Sequence, residues 1–135
     1  MNMKLGEIRG NLQGLLNIAG KRFPAKVCYA ISKNAKKLEK EYKELEEQRL
    51  KICESYADKD EDGKAMTQEK DGNKIYVFSD GNKKLYNKEY EELLEETIDI
   101  DIHTVDASEM DKCDGNERFD IPTGADYMAM EFMFK

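Results

Sequence analysis

The chain has 135 residues, enough for one modest core and too few for two ordinary domains. Charged residues make up 38% of it against 39% hydrophobic, with a formal net charge of -7, and the apolar residues are periodic, which excludes wholesale disorder. No apolar run reaches a membrane span and no apolar leader with a cleavage site opens the chain, so neither an integral membrane protein nor a Sec-secreted one is expected.

The first predicted element runs from Leu5 to Gly20, where Leu5, Ile8, Leu12, Leu15, Leu16 and Ala19 recur at steps of three and four. Gly6, Gly10 and Gly14 recur beside that stripe. Each weakens a helix by about 1 kcal/mol relative to Ala, which implies either close approach of another backbone or a frayed start. Pro24 then suits a first helical turn. From there to about Tyr56, Ile31, Ala35, Leu38, Tyr42, Leu45, Arg49, Ile52 and Tyr56 alternate steps of four and three. This is a heptad seam with one charged interruption, at Arg49, on a helix on the order of 45–50 Å long. Such a helix is expected to pair with the first helix, with a second copy in a homodimer, or with a partner.

Asp58-Lys59-Asp60-Glu61-Asp62-Gly63 follows, and Lys70-Asp71-Gly72-Asn73 reads as a hairpin turn before a strand over 74–78. Residues 79–84 look turn-like, and a short helix capped by Asn87 turns Tyr90, Leu93 and Leu94 inward. Ile98, Ile100 and Ile102 alternate with acidic residues as a third strand with one buried face. Residues 111–117 read as a polar loop. Pro122 and Thr123 open a last helix, with Tyr127, Met128, Phe132 and Met133 as its apolar stripe. The expected fold is α+β in a single domain, 1–135. A long helix pairs with an N-terminal one over 1–57, and a small antiparallel sheet (hairpin plus third strand) with two short helices fills 58–135.

Cys28, Cys53 and Cys113 are too dispersed for a disulfide framework or a zinc site, so a reduced, intracellular chain is expected. His103 is the only histidine, placed on the polar face of the third strand, and nothing orients it toward Cys113 as a nucleophilic pair. Motifs of serine hydrolases, phosphate-binding loops and zinc proteases are all missing, and no enzyme is expected. Asp58, Asp60, Asp62 and Glu69 satisfy the spacing of a calcium loop. Against calcium, the hairpin turn leaves no room for an exit helix, and Asp and Gly are also what ordinary turns contain. No other cofactor is implied.

Charge is segregated along the chain: residues 1–51 hold twelve Lys/Arg against six Glu, and the remainder ten against 23 Asp/Glu. Lys33, Lys36, Lys37 and Lys40 lie opposite the seam, a stripe suited to phosphates or an acidic partner, or simply a solvated helix face. Glu91, Glu92, Glu95, Glu96, Asp99 and Asp101 crowd together and would imitate a nucleic-acid backbone, or merely keep the protein in solution.

Five stretches carry a resemblance. Ile31-Ser32-Lys33-Asn34-Ala35-Lys36-Lys37-Leu38-Glu39-Lys40-Glu41, Glu46-Glu47-Gln48-Arg49, Lys59-Asp60-Glu61-Asp62-Gly63-Lys64, Tyr86-Asn87-Lys88-Glu89-Tyr90-Glu91-Glu92-Leu93-Leu94 and Ala129-Met130-Glu131-Phe132-Met133 resemble a family of small tailed-bacteriophage proteins known only as a domain of unknown function. The resemblance implies origin and fold more than activity, and makes the Asp-rich stretch a helix-to-hairpin connection. It also implies a viral protein in the cytoplasm of the infected bacterial host. The leading expectation is a non-catalytic interaction protein that inhibits a bacterial defence system, such as a CRISPR nuclease, by binding a host protein. The alternatives are a sponge for a nucleotide immune signal, with Lys33, Lys37, Tyr29 and Tyr42 as its candidate ligands, and a virion or tail assembly helper.

Overall fold

The computed structural model describes all 135 residues. In chain order the elements are β1 (Asn2–Lys4), α1 (Leu5–Ile18), α2 (Ala25–Tyr56), β2 (Thr67–Lys70), β3 (Asn73–Tyr76), α3 (Asp80–Leu94), β4 (Thr97–Asp99) and α4 (Gly124–Met130), with short 3-10 segments over Ala107–Cys113 and Glu131–Met133. The protein is α+β, with the long helix following the N-terminal one. Two compact units divide it: Met1–Tyr42 with Thr97–Lys135, and Lys43–Glu96. No helix is long and apolar enough to cross a membrane.

In the first unit, α1 presents Ile8, Leu12, Leu15 and Ile18 to the core, four positions at steps of four, three and three. Leu16, expected in that stripe, is about half exposed, and Ile18 takes its place. The first half of α2 contributes Val27, Ala30, Ile31 and Leu38, and the segment after β4 contributes Ile100, Ile102 and Val105. Met110, Cys113, Met130 and Met133 complete the core. The expected polar loop over 111–117 therefore starts inside a 3-10 segment, Ala107–Cys113, with two buried anchors, and only its remainder is loop. In the last helix the buried positions are Asp126 and Met130, whereas Met128 is 77% exposed and Tyr127 is also exposed. The helix starts where Pro122 and Thr123 place it, with Thr123 as its cap, and of the expected stripe Met133 is buried and Phe132 packs against the core, both on the 3-10 turn that follows.

One glycine of α1 explains itself: a Cβ at Gly14 would lie 3.2 Å from Ala129 Cβ, so α1 and α4 approach backbone to backbone there. Gly10 faces open space.

The expected three-stranded sheet is two separate two-stranded ones. The third strand, β4, pairs antiparallel with β1 in the register Asn2–Asp99, Met3–Ile98 and Lys4–Thr97. A three-residue strand has no periodicity of its own, and β1 exists only through its partner. Ile100 and Ile102 continue past β4 as buried but irregular backbone.

In the second unit the hairpin β2–β3 forms as expected, with Lys70 opposite Asn73. Asp71 and Gly72 both adopt positive φ, 52° and 80°, as an Asp-Gly two-residue turn between right-twisting strands requires. Helix α3 starts at Asp80 with Ser79 as its N-cap residue, eight residues before the expected cap at Asn87. Ser-Asp-Gly-Asn has turn composition, yet Asp58 ties that segment down: its Oδ1 accepts from the Ser79 amide at 3.0 Å and from Asn82 Nδ2 at 2.9 Å. Tertiary contact overrides local propensity here.

Candidate functional site

The seam of α2 is consumed inside the chain. Ile31 and Leu38 belong to the core of the first unit, and Leu45 and Cys53 are buried in the second. Tyr42 and Ile52 are half-buried. A homodimer zipped along this seam would have to draw on side chains that the chain already buries. The interruption at Arg49 is answered by an acid. Arg49 Nε donates to Glu46 Oε1 at 3.0 Å and Nη2 to Glu46 Oε2 at 2.9 Å, a two-pronged pair within one helical turn. The Glu46 carboxylate raises the guanidinium above its ordinary value against the opposing effect of burial, and Tyr86 adds to it. Tyr86 itself stacks on Phe78 at 5.1 Å and on Tyr90 at 5.8 Å between ring centres. Arg49 thus organises a polar and aromatic cluster within the second unit.

The carboxylates of the calcium-loop pattern are engaged elsewhere, and no cluster of three or more metal-ligating side chains forms. Asp58 caps the start of α3, and those hydrogen bonds, from the Ser79 amide first, hold its carboxyl below the usual value. Asp60 Oδ1 accepts from the amides of Asp62 and Lys64, both at 2.9 Å, closing the turn on itself. Glu69 is carried away on β2, opposite Lys74. The chain leaves the turn as a strand, so the closing carboxylate never returns to the loop.

Folding also rewrites the charge pattern. Residues 1–42 hold nine Lys/Arg against three Glu, residues 97–135 three against ten Asp/Glu, and these segments fold together. Lys21 Nζ lies 2.7 Å from Asp126, Arg22 Nη2 3.0 Å from Asp120, and Lys26 Nζ 3.6 Å from Glu109. Asp126 is only 2% exposed. Burial pushes its carboxyl upward, but the Lys21 ammonium and the Thr123 amide outweigh that and hold it below its ordinary value. The supposed acidic face is divided. Asp99 pairs with the Met1 amino group at 3.1 Å and Asp101 with Lys37 at 3.5 Å, in the first unit. Glu91, Glu92, Glu95 and Glu96 lie exposed at the end of α3 and just beyond it, in the second. The first unit is close to neutral, while residues 43–96 carry sixteen acidic against ten basic side chains.

Of the basic stripe, Lys37 donates to the Asp101 carbonyl as well as pairing with its carboxylate. Lys33, Lys36 and Lys40 remain exposed on α2. Lys33 Nζ sits 5.8 Å from the centre of the Tyr29 ring, a cation–π distance. Tyr29 is 54% exposed and meets the His103 ring edge-on at 5.1 Å between centres. His103 is held from behind by Asn34, which is fully buried: Asn34 Nδ2 donates to the His103 carbonyl at 2.9 Å, and the His103 amide donates to Asn34 Oδ1 at 2.7 Å. Both halves of one amide side chain are spent on one residue's backbone. A buried amide left unpaired would be destabilising, so this double bond fixes the loop's register on α2.

The result is an open groove of about 580 Å³ lined by Lys26, Tyr29, His103, Thr104, Asp106, Glu109 and Lys135, among others. Cys113 lines other grooves and is buried, which pushes its thiol up, so no Cys–His pair is assembled. Sequence reasoning reached Tyr29 and Lys33 but passed over His103 as a groove residue and missed Asn34 altogether. Asn34's spacing of three from Ile31 and four to Leu38 placed it on the buried side of α2, the one available signal. Compared with protein-family models, curated proteins and solved structures, the chain matches none of them.

Proposed function

We propose that the protein is a phage-encoded, non-catalytic binding protein that acts in the cytoplasm of the infected host. It engages a host protein of a defence system through the acidic unit formed by residues 43–96. One observation carries this reading: Glu91, Glu92, Glu95 and Glu96 crowd the C-terminal end of α3, with no basic residue in its last turn. The negative end of a helix macrodipole disfavours carboxylates there, by about 0.3–1 kcal/mol each when exposed. Charge held against the helix dipole is better accounted for by function than by the stability of the helix. A basic groove on a partner would complement this negative surface and speed encounter.

The test is a tagged pull-down from infected and uninfected host cells, comparing the wild-type chain with a variant carrying Glu91→Gln, Glu92→Gln, Glu95→Gln and Glu96→Gln. The expected result is one host protein in stoichiometric amount, lost in the variant and at high salt. Equal capture by both proteins, or phage challenge unaffected by expression across a panel of defence systems, would refute the reading.

A further inference from the structure

We infer that the groove over Tyr29 and His103, in the first unit, binds a nucleotide. Three kinds of group meet there, and a nucleotide carries the complement of each. Two rings at right angles, Tyr29 and His103, offer a face for a flat heteroaromatic base. Stacking on such a face is tolerant of base identity and is worth about tenfold or more in affinity. Asp106 and Glu109 line the groove as acceptors, the groups that a sugar diol can donate to. Lys26 and Lys135 line it as well, and Lys33, seven residues after Lys26 on the same helix face, reaches over the Tyr29 ring.

The local charges leave room for a phosphate. Glu109 is satisfied mainly by Lys112, at 2.6 Å, and its contact with Lys26 is longer, at 3.6 Å. Asp106 accepts from the Ser108 amide at 3.0 Å, as the cap of the 3-10 segment. Lys26 and Lys33 are both exposed, so an incoming phosphate displaces one long surface pair and no buried one. The platform is also rigid before any ligand arrives, because Asn34 holds the His103 backbone at both its amide and its carbonyl. Preorganisation of this kind lowers the ordering cost of binding. The volume, about 580 Å³, lies within the range of small-molecule sites. This inference is independent of the acidic surface proposed above.

The experiment is a titration of the full chain with AMP, GMP and ADP-ribose, read by calorimetry and by amide NMR shifts, with inorganic phosphate as the comparison. Saturable binding by at least one nucleotide is expected, with shifts centred on Tyr29, His103, Thr104 and Asp106. Tyr29→Phe should retain affinity within about twofold, Tyr29→Ala should lose about tenfold or more, and Arg9→Gln, exposed on α1 and outside the groove lining, should leave it unchanged. Two findings would overturn the assignment. One is the absence of any shift at those residues with millimolar nucleotide. The other is binding that inorganic phosphate reproduces or that Tyr29→Ala leaves intact.

Discussion

Replacing Asp126 by asparagine removes one charge from the best-shielded ion pair in the protein while preserving shape. Asp126 is buried, its two oxygens lie 2.7 and 2.8 Å from Lys21 Nζ, and Oδ2 also accepts the Thr123 amide at 2.9 Å. Breaking a buried pair from one side costs about 3–5 kcal/mol. Lys21 is one-third exposed and can turn toward water, and asparagine still offers an acceptor to Thr123, so about 2–3 kcal/mol is expected. For a chain of this length that is a fall in Tm of about 10 °C. The pH dependence has a defined sign. The carboxyl sits lower in the folded protein than its unfolded value of about 3.9, so its contribution is complete above that value and disappears as pH falls through the folded one. Denaturant melts of wild type and variant should therefore differ fully at neutral pH and converge in acid. A gap independent of pH, or a Lys21→Met/Asp126→Asn double-mutant cycle with coupling near zero, would refute the reasoning.

Asn34→Ala should destabilise by about 1–3 kcal/mol in urea melts and speed hydrogen exchange of the His103 amide, whose acceptor it removes. Gly10→Ala should stabilise by about 0.5–1 kcal/mol through helix propensity alone, and Gly14→Ala should gain less or lose, because its new methyl meets Ala129 at 3.2 Å. Thermal melts ranking the two in the opposite order would contradict the α1–α4 packing. Millimolar calcium should leave the melting temperature unchanged, since Asp58, Asp60 and Glu69 are spent on a helix cap, a closed turn and a strand, whereas a bound cation would raise it by mass action.

Features with a period or a fixed turn chemistry were legible in the sequence. The heptad of α2 told which side would be buried, and Asp71-Gly72 told where the hairpin would reverse. What escaped depends on distant partners. β1 is a strand because Thr97–Asp99 lies beside it, and α3 begins early because Asp58 caps it. The same blindness affected charge: a count along the chain made the protein dipolar, whereas Lys21, Arg22, Lys26 and Lys37 meet their counterions more than sixty residues away. Asn34 and Asp126 were hidden because polar residues on helices read as solvated. Pro122 and Thr123 did mark the start of α4, and the capping-box spacing of Thr123 and Asp126 would have placed the carboxylate as well.

The second unit is inserted within the first, between Tyr42 and Thr97, and this has a consequence for synthesis. As the chain leaves the ribosome, α1 and the start of α2 emerge with Ile8, Leu12, Leu15, Val27 and Ile31 uncovered, because the residues that close over them belong to the last third of the chain. At about 5–20 residues per second the nascent protein waits several seconds with that half-built core exposed. The inserted unit, whose contacts are all complete by Glu96, is free to fold first. The strand pairing of Met3 with Ile98 is then the first step of the closure, and the wait ends only when Val105, Met110, Met130 and Met133 have followed it into the core.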